Sequence, residues 1–203
     1  MPKIQAATVA EHRAAQRRAI LDAARELLAE GGSEAPGLAA VAERTGLARP
    51  SVYRYFRSRD DLLEAVIADS FPRWSTAVLE RMDGVDDPGA RVLAYVDANL
   101  HLVAAGEHAV VRGLAAVVPG ERLAEDSRIL HERLRIPLTE AVAAHGADDP
   151  EGMSDLIQSI VLAASRMIEN GAEETRVRAL AHQLLGPYLR EGRRVGMAPP
   201  PTR

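Results

Sequence analysis

The stretch TGLARPSVYRYFRSRDDLL, residues 45–63, holds four arginines and meets no acid before Asp60, in a chain of 203 residues with a formal net charge of −4. Val52 and Phe56, four apart, give one helix an inward face, and Leu38, Val41 and Ala42 do the same for the short apolar piece before it. Gly46 permits a tight turn between the two, and Leu47 plugs it. Arg49, Ser51, Tyr53, Arg54 and Tyr55 must then point outward, with Arg57 and Arg59 just beyond. Pro50 suits a first helical turn, where the amide it lacks would have no partner. Ser58 followed by Asp61 reads as a capping box that starts the next helix.

Working outward, Ile20, Ala24, Leu27 and Leu28 recur at helical spacing and predict a first helix over about residues 9–30, stopped at Glu30–Gly32. Short helices follow over Leu38–Thr45 and from Arg49 or Pro50 to Phe56. A longer one begins near Ser58, with Pro72 expected to kink or break it. The turn cluster DGVDDPG, Asp83–Gly89, marks a boundary, and helices are expected near 89–105, 107–118, 122–145, 151–170 and 174–190. No segment alternates with period two, so the fold class is all-α, with about nine helices. Domains are expected over 1–70, a three-helix head, and 71–192, a larger helical body, with a disordered tail at 193–203.

Composition narrows the function. Residues 1–66 carry ten Lys plus Arg against nine Asp plus Glu, while the remainder carries fifteen against twenty, so an anion-binding surface belongs in the first third. The chain has no cysteine, which removes disulfides, thiolate metal sites and cysteine nucleophiles and fits a reducing, cytoplasmic setting. Its N-terminus lacks the apolar core of a signal peptide. The most apolar run, Leu156–Ile168, contains Arg166 and falls short of the ~20 residues needed to cross a bilayer, so no membrane partner is expected. The six histidines form no HExxH or ExxH pair, and no glycine-rich phosphate loop or GxSxG elbow occurs. The expectation is a non-enzyme with no cofactor and no metal.

A helix, a glycine turn and a second short helix make a helix-turn-helix, whose second helix enters the DNA major groove. Arginine can bridge guanine O6 and N7 or pair with phosphate, and tyrosine and serine hydroxyls can donate to phosphate oxygens. The outward set of residues 49–59 has that chemistry.

The segments RRAILDAA, VAERTGL, SVYRYF and SRDDLL, within residues 13–70, together resemble the N-terminal domain of the TetR family of transcriptional regulators. The resemblance implies an all-helical homodimer with a DNA-binding head and a divergent ligand-binding and dimerisation body. It assigns base contacts to Arg49, Pro50 and Ser51, phosphate contacts to Tyr53 and Tyr55, either role to Arg54, and a backbone contact to Arg59. Arg44 and the first-helix residues Arg13, Arg17 and Arg18 are further phosphate candidates. Gly37 and Ala48 stand where the family carries hydroxyl caps, so each loses a cap and a phosphate contact.

For the body, the resemblance implies a four-helix interface between subunits. The broad apolar faces of the last two helices offer Ile157, Ile160, Val161, Ala164, Ile168, Leu180, Leu184 and Tyr188, with Leu156, Ala163 and Met167 widening the first. Trp74, Tyr95, Asn99, His101, Arg112 and Met167 are the distinctive residues offered to a mostly apolar small-molecule effector. The expected partners are therefore double-stranded DNA bearing an inverted repeat, a second copy of the chain, and that effector. The expected role is a repressor released by the ligand. A helical protein-interaction adaptor and a helical enzyme of unknown type are the alternatives.

Overall fold

The computed structural model describes residues 6–31, 36–118 and 120–191. The tail expected to be disordered lies outside them. Among the described residues nine helices follow one another: α1 Ala6–Ala29, α2 Leu38–Thr45, α3 Arg49–Tyr53, α4 Arg59–Met82, α5 Pro88–Ala104, α6 Glu107–Val117, α7 Gly120–His145, α8 Pro150–Glu169 and α9 Glu174–Glu191. No strand occurs among them, so the fold is all-α.

Two details depart from the sequence reading. α3 ends at Tyr53 rather than Phe56, because the amides of Tyr55 and Phe56 both turn back to the Val52 carbonyl, at 2.9 and 3.1 Å, and tighten the chain into a turn. α4 does not break at Pro72 but runs as one helix, Arg59–Met82, with that exposed proline inside it.

The chain divides into two compact units. The first holds residues up to Pro72 together with Gly106–Ser127; the second holds Arg73–Ala105 and the chain from Arg128. In the first, Ile20, Ala24 and Leu28 of α1, Val41 of α2, Val52, Leu62 and Val66 of α4, and Leu114 of α6 are all buried. The spacing of four in α1 and in α4 brings one stripe of each helix to a shared core. Arg25 is buried among them. Its guanidinium donates to Ser70 Oγ and to a Glu107 carboxylate oxygen, with Asp69 Oδ2 3.8 Å away. Ser70 passes the chain of bonds on, donating to the Val66 carbonyl at 2.8 Å. One cation thus ties α1 to α4 and α6.

α6 approaches α1 closely enough that a Cβ on Gly113 would lie 2.4 Å from the Leu28 carbonyl oxygen. Only glycine fits that contact without moving backbone.

In the second unit α5 packs on α8 and α9, burying Val92, Val96, Leu100, Ile157, Val177 and Ala181. Asp87 and Asp149 cap α5 and α8, accepting from Ala90 N at 2.8 Å and Gly152 N at 3.0 Å. Asp97 of α5 receives two hydrogen bonds from the Arg178 guanidinium of α9, at 3.1 and 2.9 Å, and lies 2.8 Å from His182 Nε2. No single helix among the described residues is long and apolar enough to cross a membrane.

The α1–α6 contact sets up an inverted expectation. Glycine to alanine inside a helix ordinarily stabilises by about 1 kcal/mol. Gly113→Ala is expected to destabilise instead, by about 1–3 kcal/mol, because backbone must move to admit the methyl group. Gly186→Ala, where only the flexible end of Arg190 intrudes, serves as the control and should show no comparable loss. Paired urea unfolding curves would decide; equal midpoints for the two variants would refute the close approach.

Candidate nucleic-acid interface

α3 is five residues long, and its preceding residue, Ala48, supplies no side-chain cap. α2 likewise begins after Gly37 with no side-chain cap. Gly46 closes α2 at φ 68°, a left-handed conformation that a β-branched residue would strain. The turn carries the chain to Arg49 with Ala48 extended. Val52 is fully buried and Phe56 nearly so. The guanidinium of Arg17 sits over the Phe56 ring, 5.6 Å from its centroid.

With that underside fixed, Arg49, Pro50, Tyr53, Arg54, Arg57 and Arg59 are exposed, and Ser51 and Tyr55 are half-buried. Tyr53 keeps more than half of its surface, 55%, in solvent. Ser58 accepts from the Asp61 amide at 3.1 Å, and Asp61 in return accepts from the Arg57 amide at 2.9 Å. This reciprocal cap resembles the expected one but reaches the residue before Ser58. It fixes the entry to α4 directly behind the exposed basic run.

Two of the proposed contacts have partners of their own. The Tyr55 hydroxyl donates to Gln16 Oε1 at 2.7 Å, so the phenol is tied to α1 while its ring lines the groove between α1 and α3. Arg44 donates to Glu26 at 3.1 Å and Glu30 at 3.0 Å. Those bonds, that to Glu26 foremost, raise its proton affinity further above the ordinary arginine value. Arg44 therefore joins α2 to α1 through two exposed carboxylates. Sequence reasoning missed Gln16 and Arg25. Arg25 could have been noticed as a lone cation inside the apolar run ILDAARELL, residues 20–28.

The residues offered to an effector separate. Trp74, Tyr95 and Asn99 come together in the second unit: the Trp74 indole donates to Asn99 Oδ1 at 3.0 Å, and the Asn99 amide donates to the Tyr95 carbonyl at 2.8 Å. Burial pushes the Tyr95 phenol up to about 12. The remaining three do not join them. His101 is exposed and paired with Glu174 at 3.3 Å, Met167 is exposed on α8, and Arg112 belongs to the other compact unit.

The subunit-interface set also splits. Ile157 and Ala164 are buried inside the subunit's own core, which corrects their placement on a partner face. Val161, Ile168 and Tyr188 are half-buried. The outward stripe is instead Leu156, Ala163 and Met167 on α8, beside half-exposed Ile160, with Leu180 and Leu184 on α9. Leu156 and Leu184 are 61% and 64% exposed, and with Met167 and Leu180 they make several large apolar side chains exposed on α8 and α9. No group of three or more His, Cys, Asp or Glu able to hold a metal occurs among the described residues.

Comparison with known proteins agrees with this geometry. The sequence model described as "Bacterial regulatory proteins, tetR family" matches residues 20–66. The HTH-type transcriptional regulator BetI of Escherichia coli O17:K52:H18 is 34% identical over 86 residues, 41% of this chain and 44% of BetI. The HTH-type transcriptional repressor KstR of Rhodococcus jostii is 45% identical over 58 residues, 29% of this chain and 27% of KstR. The chain thus matches less than half the length of either relative. At the level of fold, the structure of FadR from Bacillus subtilis in complex with stearoyl-CoA superposes with a TM-score of 0.63 at 16% identity, covering 83% of this chain and 96% of that one. The segment that the family's sequence model matches holds the helix with the buried base behind the glycine turn, so residues 20–66 of this chain are similar to the tetR family of bacterial regulatory proteins.

Proposed function

We propose that this chain is a transcriptional repressor that binds an inverted-repeat operator as a homodimer and is released by a small, mostly apolar ligand. The observation that carries the reading is the two-faced α3: Val52 and Phe56 hold it from beneath, and Arg49, Pro50, Tyr53 and Arg54 stand outside. An arginine at the tip of a helix in the major groove can take guanine O6 and N7 together, while phenol and guanidinium groups along its flank meet phosphates. KstR, 45% identical to this chain over 58 residues, is named a repressor, which supports that mode over activation.

A dimer supplies the second half-site. The stripe of Leu156, Ala163, Met167, Leu180 and Leu184 is apolar and continuous with the core helices α8 and α9, the kind of face that a second copy covers. Two symmetric heads would then read half-sites one helical turn or a multiple apart. The effector reading rests on the Trp74–Asn99–Tyr95 cluster, where hydrogen-bonding groups lie among apolar side chains, and on the acyl-CoA held by a protein of the same fold. Such a ligand acts by binding the DNA-incompetent geometry more tightly than the competent one.

Selection of bound fragments from the host genome, followed by titration of the recovered duplex, tests the DNA reading. Arg49→Ala is expected to relax base preference, costing about 1–3 kcal/mol on the preferred site. Arg59→Ala should weaken binding to every sequence and lower the salt slope by about one. A variant at Arg49 that keeps both preference and affinity would remove that residue from the recognition surface, and recovery of an acidic protein in place of DNA would favour an adaptor. For the dimer, Leu184→Glu puts a charge on the outward stripe without touching the subunit core. Sedimentation should show a monomer that has lost cooperative binding to the inverted repeat; a variant that stayed dimeric would move the interface elsewhere.

A further inference from the structure

A groove runs between residues 9–16 of α1 and residues 51–55, and of its polar lining residues His12 and Gln16 have no role in the assignments above. It has a volume of about 590 Å³, and His12, Arg13 and Gln16 line it from α1, with Ser51, Arg54 and Tyr55 opposite. Val9, His12, Arg13 and Gln16 recur at helical spacing, so one face of α1 is turned toward it. The lining contains two guanidinium groups, an imidazole, an amide and two hydroxyls, and no carboxylate. Among the described residues neither Arg13 nor Arg54 is paired with an acid, in contrast to Arg25, Arg44, Arg135 and Arg178. The hydrogen bond from Tyr55 holds the Gln16 carboxamide by its oxygen, leaving the end that donates as the one a phosphate oxygen would take.

We infer that this groove seats a DNA backbone phosphate and that His12 is a proton-dependent contact to it, making the head's affinity for DNA rise as pH falls. The inference rests on the DNA-binding reading of the head. His12 is exposed and is the one imidazole on the groove, the side-chain type whose ordinary charge change falls between about pH 5 and 8. The other charged or titratable groups lining it are Arg13, Arg54 and the Tyr55 phenol, and the lining holds no second imidazole and no carboxylate. Glu11, next along α1, is exposed and is not part of the lining. A phosphate beside the ring favours the imidazolium, so the complex binds a proton that the free protein binds less tightly. The added affinity is therefore present at low pH and lost as pH rises through the imidazole's range in the complex.

The test uses the full chain and a fluorescent mixed-sequence duplex, since a phosphate contact needs no particular base sequence. Anisotropy titrations over a range of salt at about pH 6 and about pH 8 give the slope of log K against log salt, to which each neutralised phosphate adds about −0.9. At the lower pH, His12→Gln should be shallower than the native protein by up to that amount for each head bound; at the higher pH the two should coincide. His12→Arg should be steep at both. Native affinity should fall by up to about tenfold between the two conditions, the equivalent of one unit in the imidazole's proton affinity. Other histidines affect all three proteins alike and cancel in the comparison. Equal slopes for native and His12→Gln at the lower pH would overturn the assignment while leaving the DNA reading intact. Failure of the native protein to bind the duplex at either pH would overturn both.

Discussion

A helix of five residues cannot hold itself. Fixing its first turn costs more than its few hydrogen bonds return, and here neither Ala48 nor Gly37 contributes a capping hydroxyl to α3 or α2. What keeps α3 in place is the burial of Val52 and Phe56, each contributing roughly 1.5–3 kcal/mol relative to exposure. The same constraint determines function, because the side chains left outside are whichever ones the anchors do not use. Apolar packing beneath the helix sets the direction of every guanidinium above it.

Arginine serves two opposed purposes in the first compact unit. Arg25 and Arg44 are consumed by carboxylates, the first inside the core where it joins α1, α4 and α6, the second at the surface between α1 and α2. A buried arginine without such partners would cost several kcal/mol, so Glu107 and Ser70 are conditions for having Arg25 there at all. Arg49, Arg54 and Arg13 are paired with no acid among the described residues. A net charge of −4 therefore coexists with a local excess of positive charge, and which arginine belongs to which group is decided by neighbours, not by number.

The head was largely legible in the sequence because its signals are local. Val52 and Phe56 are four apart, Gly46 stands at the turn, and Ser58 and Asp61 are three apart; each lies within one turn of the feature it creates. What could not be read joins distant positions. Arg25 meets residues 45 and 82 places away, and Tyr55 meets Gln16 across 39. The face of α8 was misread for a different reason. Leu156 and Ile157 are neighbours on a helix that is apolar over most of its circumference, so periodicity alone does not separate the side that fills the subunit from the side that covers it. α3 was read as longer than it is because Phe56 keeps helical spacing from Val52 although the backbone between them has already turned.

The first compact unit is discontinuous in the chain, since Gly106–Ser127 returns to α1 after an excursion of more than thirty residues. On a ribosome this has an order to it. When Phe71 has emerged, α1 still lacks the glutamate that satisfies its buried cation and the glycine face that covers Leu28. The first unit is therefore incomplete until α6 has been synthesised, and a chain stalled before that point has Asp69, 3.8 Å away, as the acid left beside its buried arginine.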